Sequence, residues 1–465
     1  MRSRVQARCR PAPGQSPGRG SVLIIVLWIA LGLVSIALYF GHAMVLGARA
    51  TDNTTAGLEA EEAIEGAARY LGFMLTNQAR TGTNFALAGM LPATNLYQYA
   101  DAPVGEGRFW LIGRADTEYP TAAPTFGLID EAAKLNLNTA TREMLELLPG
   151  MTTELAAAIL DWRDTDDDVT QGGAESETYG RLMPPYTAKN AKFETVEELR
   201  LVAGATPDLL DGEDLNRNGV LDPNENDGEL SPPFDNRDGR LDPGLLEYLT
   251  VYSREPNKRV DGNTRTNLNG GNVNQIRTLL GNALGSTRAN EIIARAGPIP
   301  GRTFTSTLEF SLRGRMTASE FAQVADSLSV TNGEYLEGLI NVNTASAAVL
   351  ACVPGIGADK AEQVVGYRRT HQSELTSLAW VAQVLDQTSA IRAAPYLTTR
   401  SFQFTADVAA VGHYGRGYRR TLFVFDASEG SPRIVYRRDL GRLGWALGAA
   451  VRQRLLLAQN QSVRR

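Results

Sequence analysis

Apolar residues are distributed unevenly along the chain. Residues 21–48, SVLIIVLWIALGLVSIALYFGHAMVLGA, contain no Asp, Glu, Lys or Arg. A helix of that length, rising about 1.5 Å per residue, crosses the roughly 30 Å hydrocarbon core of a bilayer. Residues 1–20 carry Arg2, Arg4, Arg8, Arg10 and Arg19 with no acid, which keeps the amino terminus cytoplasmic and sends the remainder outward. The run exceeds the roughly 7–15 residue apolar region of a secretory signal, so it predicts a retained anchor. Beyond it, Leu58, Ala60, Ile64, Ala67, Ala68, Leu71 and Leu75 fall near helical spacing. One helix is therefore expected from Ser21 to about Asn77, apolar first and amphipathic later. Period-two, β-branched and aromatic segments come both early and very late: RFWLIGRA (108–115), SFQFTADVAAV (401–411), RTLFVFDA (420–427) and PRIVYRRDL (432–440). Early strands would have to pair with late ones across a long helical middle. The tail after Leu440 reads as a helix or a disordered end.

The middle contains an internal repeat. LNLNTATREMLELLPGMTTELAAAILDWRD (135–164), TNLNGGNVNQIRTLLGNALGSTRANEIIARAG (266–297) and INVNTASAAVLACVPGIGADKAEQVVGYR (340–368) each open on Asn-x-Asn, at Asn136/Asn138, Asn267/Asn269 and Asn341/Asn343. The asparagines and the following Thr139 or Thr344 suit helix N-caps. Each copy then reads helix, glycine-containing turn, helix, the pattern of a helix-hairpin-helix. The middle copy is two residues longer and lacks the proline.

Such hairpins often press on a DNA backbone, and Gly355, Gly357 and Lys360 have the right positions to cradle a phosphate. Charge argues the other way. The chain carries a net −6, Asp359 and Glu362 flank Lys360, and the first hairpin is net negative. DNA binding draws most of its affinity from neutralising several phosphates, so these hairpins read as packing units and no nucleic acid is expected. The 3 histidines, His42, His371 and His413, are scattered, which argues against a histidine metal site or triad and against an enzyme. Of the 2 cysteines, Cys9 lies in the expected leader and Cys352 in an apolar helix, so no disulfide framework is expected.

The most specific chemical signal is DLNRNGVLDPNE (214–225). Asp214, Asn216 and Asn218 occupy positions 1, 3 and 5 of a calcium loop, Gly219 position 6, Val220 position 7 through its carbonyl, Asp222 position 9 and Glu225 position 12. Spacing of this kind turns hard oxygens inward around one Ca2+. A second segment, DNRDGRLDPG (235–244), fits imperfectly and offers Asp235, Asp238 or Asp242 to a second or shared ion. A third acidic cluster, DWRDTDDD (161–168), has no template and reads as a solvated turn. The calcium is expected to be structural, ordering an Asn/Asp/Gly/Pro-rich region too poor in apolar residues to fold alone.

Arg19-Gly20 directly before the apolar run resembles the end of a type IV prepilin leader, cut between Gly20 and Ser21. Most pilin-like subunits carry a glutamate at the fifth mature position; here it is Ile25. A carboxylate in lipid needs a partner, and a subunit without one has nothing to neutralise above it, which marks a tip position. Adding GLIDEAAKLNLNTA (127–140), ILDWRDTDDD (159–168), ETVEELRLVAG (194–204), YLTVYSREPN (248–257) and INVNTA (340–345), the chain resembles the K-type minor pseudopilin of the type II (general) secretion pathway. The resemblance implies an α+β fold: a long N-terminal transmembrane helix and a pilin-like β-sheet core with a large inserted helical region. It implies a leader at 1–20, the helix at 21–80, the first part of the pilin-like domain at 81–127, helical regions at 128–255 (with calcium) and 256–397, and the last strands and tail at 398–465. It also implies a single-pass inner-membrane protein with a periplasmic head. The expected partners are the I- and J-type minor pseudopilins, the major pseudopilin and the prepilin peptidase. The competing readings are a membrane-anchored helix-hairpin-helix protein for DNA binding or uptake, and a simple anchored calcium-binding adhesion protein.

Overall fold

The computed structural model describes residues 20–80, 91–114, 123–230, 232–297 and 303–463. The arginine-rich leader therefore lies outside the described residues, apart from the backbone of Gly20. Helix α1 runs over Gly20–Arg80. Met1–Thr55 form one unit and Ala56–Arg465 a second. In the first, the apolar side chains from Val22 to Leu46 are exposed, as suits a surface solvated by hydrocarbon. Among the described residues, α1 is the helix long and apolar enough to cross a bilayer, with mean hydropathy 2.8 over its most apolar stretch.

In the second unit, α1 from Ala56 onward covers one face of an antiparallel sheet. Strands β1 (Ala102–Val104), β2 (Gly107–Ile112), β3 (Ile129–Asp130), β4 (Gln403–Val411), β5 (Arg419–Asp426) and β6 (Arg433–Asp439) make this sheet, in the order β1-β2-β4-β5-β6, with β3 also pairing β4. Early and late strands do meet: Val408 lies opposite Leu111 on one side and Thr421 on the other. Strand β4 is buried at every position, and its pleat divides the two faces. Phe404, Ala406, Val408 and Ala410 join Ala60, Ala63, Ile64, Ala67, Ala68, Leu71 and Leu75 of α1 in one apolar core. Of the expected stripe, Leu58 alone is exposed. Contact is close at the sheet's end, where a Cβ on Gly412 would sit 2.2 Å from the Ala56 carbonyl oxygen and one on Gly417 (φ +67°) 2.4 Å from the Ala56 backbone. Only glycine fits either place.

On the other face of β4, Gln403, Thr405 and Asp407 are polar and hold the inserted region, while Ala409 and Val411 are apolar. Gln403 accepts from Arg254 N–H at 3.0 Å, and the Thr405 hydroxyl donates to Glu131 at 2.6 Å. Asp407 is paired with Arg420, whose guanidinium donates to the Asn216 and Arg217 carbonyls.

The repeat is real, but its asparagines have another job. In each copy the opening dipeptide pairs in parallel with a later one: Leu135–Asn136 with Leu249–Thr250, Thr266–Asn267 with Leu328–Ser329, and Ile340–Asn341 with Leu397–Thr398. The first asparagine accepts from the N–H of the second at 2.8–3.0 Å. The second then reaches across the module. Asn138 exchanges two hydrogen bonds with the Phe193 backbone (3.0 and 2.7 Å), Asn269 two with Phe304 (2.9 and 2.8 Å), and Asn343 donates to the Leu375 carbonyl (3.0 Å). These residues are therefore clasps, not the expected N-caps. The caps are Thr141, Asn272 and Ser346, a few residues on. Thr344 instead donates its hydroxyl to Asp130.

The expected hairpin helices are α2 (Arg142–Glu146) and α3 (Thr153–Arg163), α4 (Val273–Leu284) and α5 (Ser286–Ala296), and α6 (Ala347–Ala351) and α7 (Gly357–Thr370). Arg163 of α3 and Arg368 of α7 occupy equivalent places. Each donates to two carbonyls of its own opening turn, Leu137 and Ala140 for the one, Val342 and Ala345 for the other. The first and third modules share a single apolar core, to which the middle one contributes Leu308 and Phe321, whereas Leu268, Ile276, Leu280, Ile292, Phe310 and Leu328 build a second core within the middle module. The cores thus do not follow a division into 128–255 and 256–397. The tail after Leu440 ends in helix α8 (Gly448–Val463).

Removing either two-way clasp should be costly, because the facing backbone N–H and C=O lose partners. Asn138→Ala and Asn269→Ala are each expected to cost about 2 kcal/mol, read as a drop in the midpoint of chemical denaturation with unchanged slope.

Candidate functional site

The loop Asp214–Glu225 is folded inward. Asp214, Asn216, Asn218 and Glu225 are all buried. Asp214 accepts from Asn218 N–H at 2.9 Å and Gly219 N–H at 2.8 Å, at the sharp turn where Gly219 has φ +72°. Asn216 and Asn218 both donate side-chain N–H to Asp222, at 2.7 and 3.1 Å, and Glu225 accepts from Asp222 N–H at 3.0 Å. The Asn216 side-chain oxygen is buried with no hydrogen-bond partner. Burial, with Asp214 and Asp222 nearby, pushes Glu225 up to about 7. Burial also raises Asp214, against the pull of Arg114. These are the marks of a site with too much negative charge for its water-poor surroundings. The three carboxylates do not converge on one point as closely as those of the set described next.

In the second segment, Asp235 accepts from Gly228 and Arg237 N–H, Asp238 from Arg240 N–H, and Asp242 from the Asn236 amide. These oxygens are committed to the turn itself, and the structure does not gather the three side chains.

It does gather Asp161, Asp164 and Glu175. Among the described residues this is the carboxylate set with one oxygen from each residue within 4.8 Å of the others. Asp161 stands in the last turn of α3, Asp164 just beyond it, and Glu175 precedes the short helix Ser176–Gly180. The loop between them folds back because Thr170 N–H donates to both Asp161 oxygens at 3.2 Å. Gly173 is obligatory there, since a Cβ would fall 2.0 Å from Asp161 Oδ2. Glu175 is 2% exposed, yet both its oxygens lack partners, as does one oxygen of Asp164. Burial, reinforced by Asp161, Asp164, Asp167 and Asp166, lifts Glu175 to about 7. The residues suit a hard divalent cation, which takes several carboxylate oxygens. The reading of DWRDTDDD as a solvated turn missed this. The signal it lacked was the glutamate eleven positions beyond Asp164, brought back by two glycines.

The third hairpin presents its turn to protein. A Cβ on Gly355 would meet Arg392 and the Ser389 carbonyl at 2.9 Å, and Lys360 is paired with Asp386 at 2.9 Å. Of the three cradle residues, Gly355 and Lys360 are thus engaged with the helix Gln387–Ala393 and its cap, while a Cβ on Gly357 would meet nothing within 4 Å. The thiol of Cys352 is buried, and burial pushes it up to about 12.

An apolar N-terminal helix that continues onto an antiparallel sheet, with helical modules inserted between early and late strands, defines an α+β class of fold. Residues 127–212 match the family model described as type II secretion system (T2SS), protein K, and residues 337–382 match that of the helix-hairpin-helix motif. The resemblance to the K-type pseudopilins is borne out over that first stretch, which contains Asp161, Asp164 and Glu175. A curated relative, type II secretion system protein K of Pectobacterium carotovorum subsp. carotovorum, is 26% identical over 202 residues. That match covers 42% of this chain and 61% of the relative, so the chain spans about three fifths of that relative's length. The GspK-GspI-GspJ complex of the enterotoxigenic Escherichia coli type 2 secretion system contains a chain matching at 11% identity and TM-score 0.39, over 82% of this chain and 97% of that one.

A carboxyl raised from 4.5 to about 7 takes up its proton more readily folded than unfolded. Without a cation, stability should therefore fall as pH rises between about 4.5 and 7, with a slope of up to about 1.4 kcal/mol per pH unit per such group. Denaturation in EDTA across this window should show that fall, and Glu175→Gln should remove one group's share of it, leaving that of Glu225.

Proposed function

We propose that the chain is a minor pseudopilin of type II protein secretion, held in the inner membrane by the first part of α1 with its head in the periplasm. The observation that carries this reading is the joining of two features in one chain, a lipid-suited helix beginning at the Gly20-Ser21 step and the protein K stretch at 127–212. The prepilin peptidase cuts between Gly20 and Ser21 on the cytoplasmic side. The mature helix then joins a bundle of like helices, with the I- and J-type minor pseudopilins and the major pseudopilin as neighbours. Ile25 supports a place at the tip, where no carboxylate is needed to meet a subunit above. The subunit works by association rather than catalysis, helping to initiate the pseudopilus and to cap it.

Calcium belongs to this reading as a structural ion. Two places fit it: the loop of Asp214, Asn216, Asn218, Val220, Asp222 and Glu225, and the convergent set Asp161, Asp164 and Glu175. Support comes from the buried oxygens left without partners at each. Asp235, Asp238 and Asp242 remain proposed only as contributors to a second or shared ion.

Mass spectrometry of the protein extracted from its native membrane should find a mature chain beginning at Ser21. A chain that still carries Arg2 to Gly20 would remove the pseudopilin assignment. Limited proteolysis reports on the ion separately: EDTA should expose cleavage sites within 161–244, and unchanged resistance would count against structural calcium.

A further inference from the structure

Between the middle and third modules lies a cleft of about 770 Å3, within the roughly 300–1,000 Å3 of small-molecule sites. Leu328, Val330, Leu336 and Leu339 are among its apolar lining residues. Charge is concentrated around the rest. Arg265, Arg368, Arg369 and Arg400 line the cleft against two carboxylates, Glu255 and Asp326. On a chain of net charge −6, this hollow is locally positive. Its floor is built rigidly. Glu255, itself buried, binds Arg265 at 3.0 Å and Arg400 at 3.2 Å and accepts from the Thr398 hydroxyl at 2.7 Å, while Asp326 lies 3.6 Å from both arginines. The two arginines are thereby held in place at the wall. Low surrounding dielectric strengthens their field at the cleft.

We propose that this cleft binds a carboxylate carried on an apolar body, the body against the apolar lining residues and the carboxylate toward the arginines. Such a group is presented by a short fatty acid and by the free carboxyl end of an apolar peptide. Arginine suits it because the planar guanidinium matches a carboxylate in two-point geometry. Neither the pseudopilin assignment nor calcium enters this reasoning.

Hydrogen–deuterium exchange of the full chain in phosphatidylcholine nanodiscs tests it, because the readout is local to the cleft. The probes are octanoate, octanol, and an acetylated leucine-rich tripeptide with a free or an amidated carboxyl end. Saturable protection is expected over 326–330 and 397–400 with octanoate, with the free-acid peptide, or with both; which of them acts identifies the source. Octanol and the amide should bind about tenfold more weakly, the loss of one charge-assisted interaction. Arg369→Gln at the exposed rim should weaken binding by a similar factor. Thr399→Trp, which fills the cleft, should abolish it, while the exchange pattern of the β-sheet shows that the variant is folded. No protection by any probe, equal protection by octanol and octanoate, or protection that survives Thr399→Trp would overturn the proposal.

Discussion

The Arg420–Asp407 pair is the constraint on which the head depends. Both residues are buried on the sheet, where an unpaired charge would cost several kcal/mol. Two carboxylate contacts leave the guanidinium with donors to place, and these go to the Asn216 and Arg217 carbonyls of the inserted loop. The loop is therefore fixed to the sheet by its backbone, and its side chains remain available to turn toward one another. The same logic repeats along the seam. Asp130 accepts from Asn341, Thr344 and Ser401 as well as from the Ala132 N–H, and burial, only partly offset by these donors, raises its carboxyl to about 6. Buried polar groups with every partner in place specify one geometry far more tightly than an apolar contact does. The seam joins sheet to insertion in this way, while the opposite face of the sheet meets α1 through an apolar core with the Arg437–Glu65 ion pair at its edge.

Charge at the two acidic regions has a common origin. Asp161, Asp164 and Glu175 are drawn together by backbone N–H donors and a glycine, not by cations. The Asp214–Glu225 loop is likewise closed by N–H groups and amides. In each, carboxylates are gathered in surroundings that do not solvate them, and a hard ion would relieve both by the same electrostatic means. The two regions differ in the way they are supported. The loop leans on the sheet through Arg420, whereas the convergent set is carried by the first hairpin's own second helix.

Much of this was legible in the sequence, and the parts that were not have physical reasons. The N-terminal helix, the four long strands and all three repeat openings follow from period and composition, because those signals lie within each segment itself. The roles of Asn138, Asn269 and Asn343 did not follow. An asparagine before a helix suits a cap equally well, and its actual partners, Phe193, Phe304 and Leu375, lie 55, 35 and 32 residues away. The convergent carboxylate set was invisible for a similar reason: a motif template scans a fixed local spacing, and Glu175 returns through a turn whose geometry rests on Gly173. The Asp214–Glu225 pattern could be read from the sequence because its spacing is local. The sharing of one core by the first and third modules, with a second core in the middle one, could not be read from repeats that look alike.

In the middle module the first strand, Thr266–Asn267, lies beside the last, Leu328–Ser329. The chain therefore enters and leaves this module at nearly the same point, and the module carries an apolar core of its own. A segment built like that is a cassette. Its gain or loss between relatives asks little of the flanking backbone, which needs only to rejoin across a single pair of neighbouring strands. Length variation in such proteins should accordingly fall at this doorway, and the anchor, the sheet and the acid-bearing first module should keep their spacing whether or not the cassette is present.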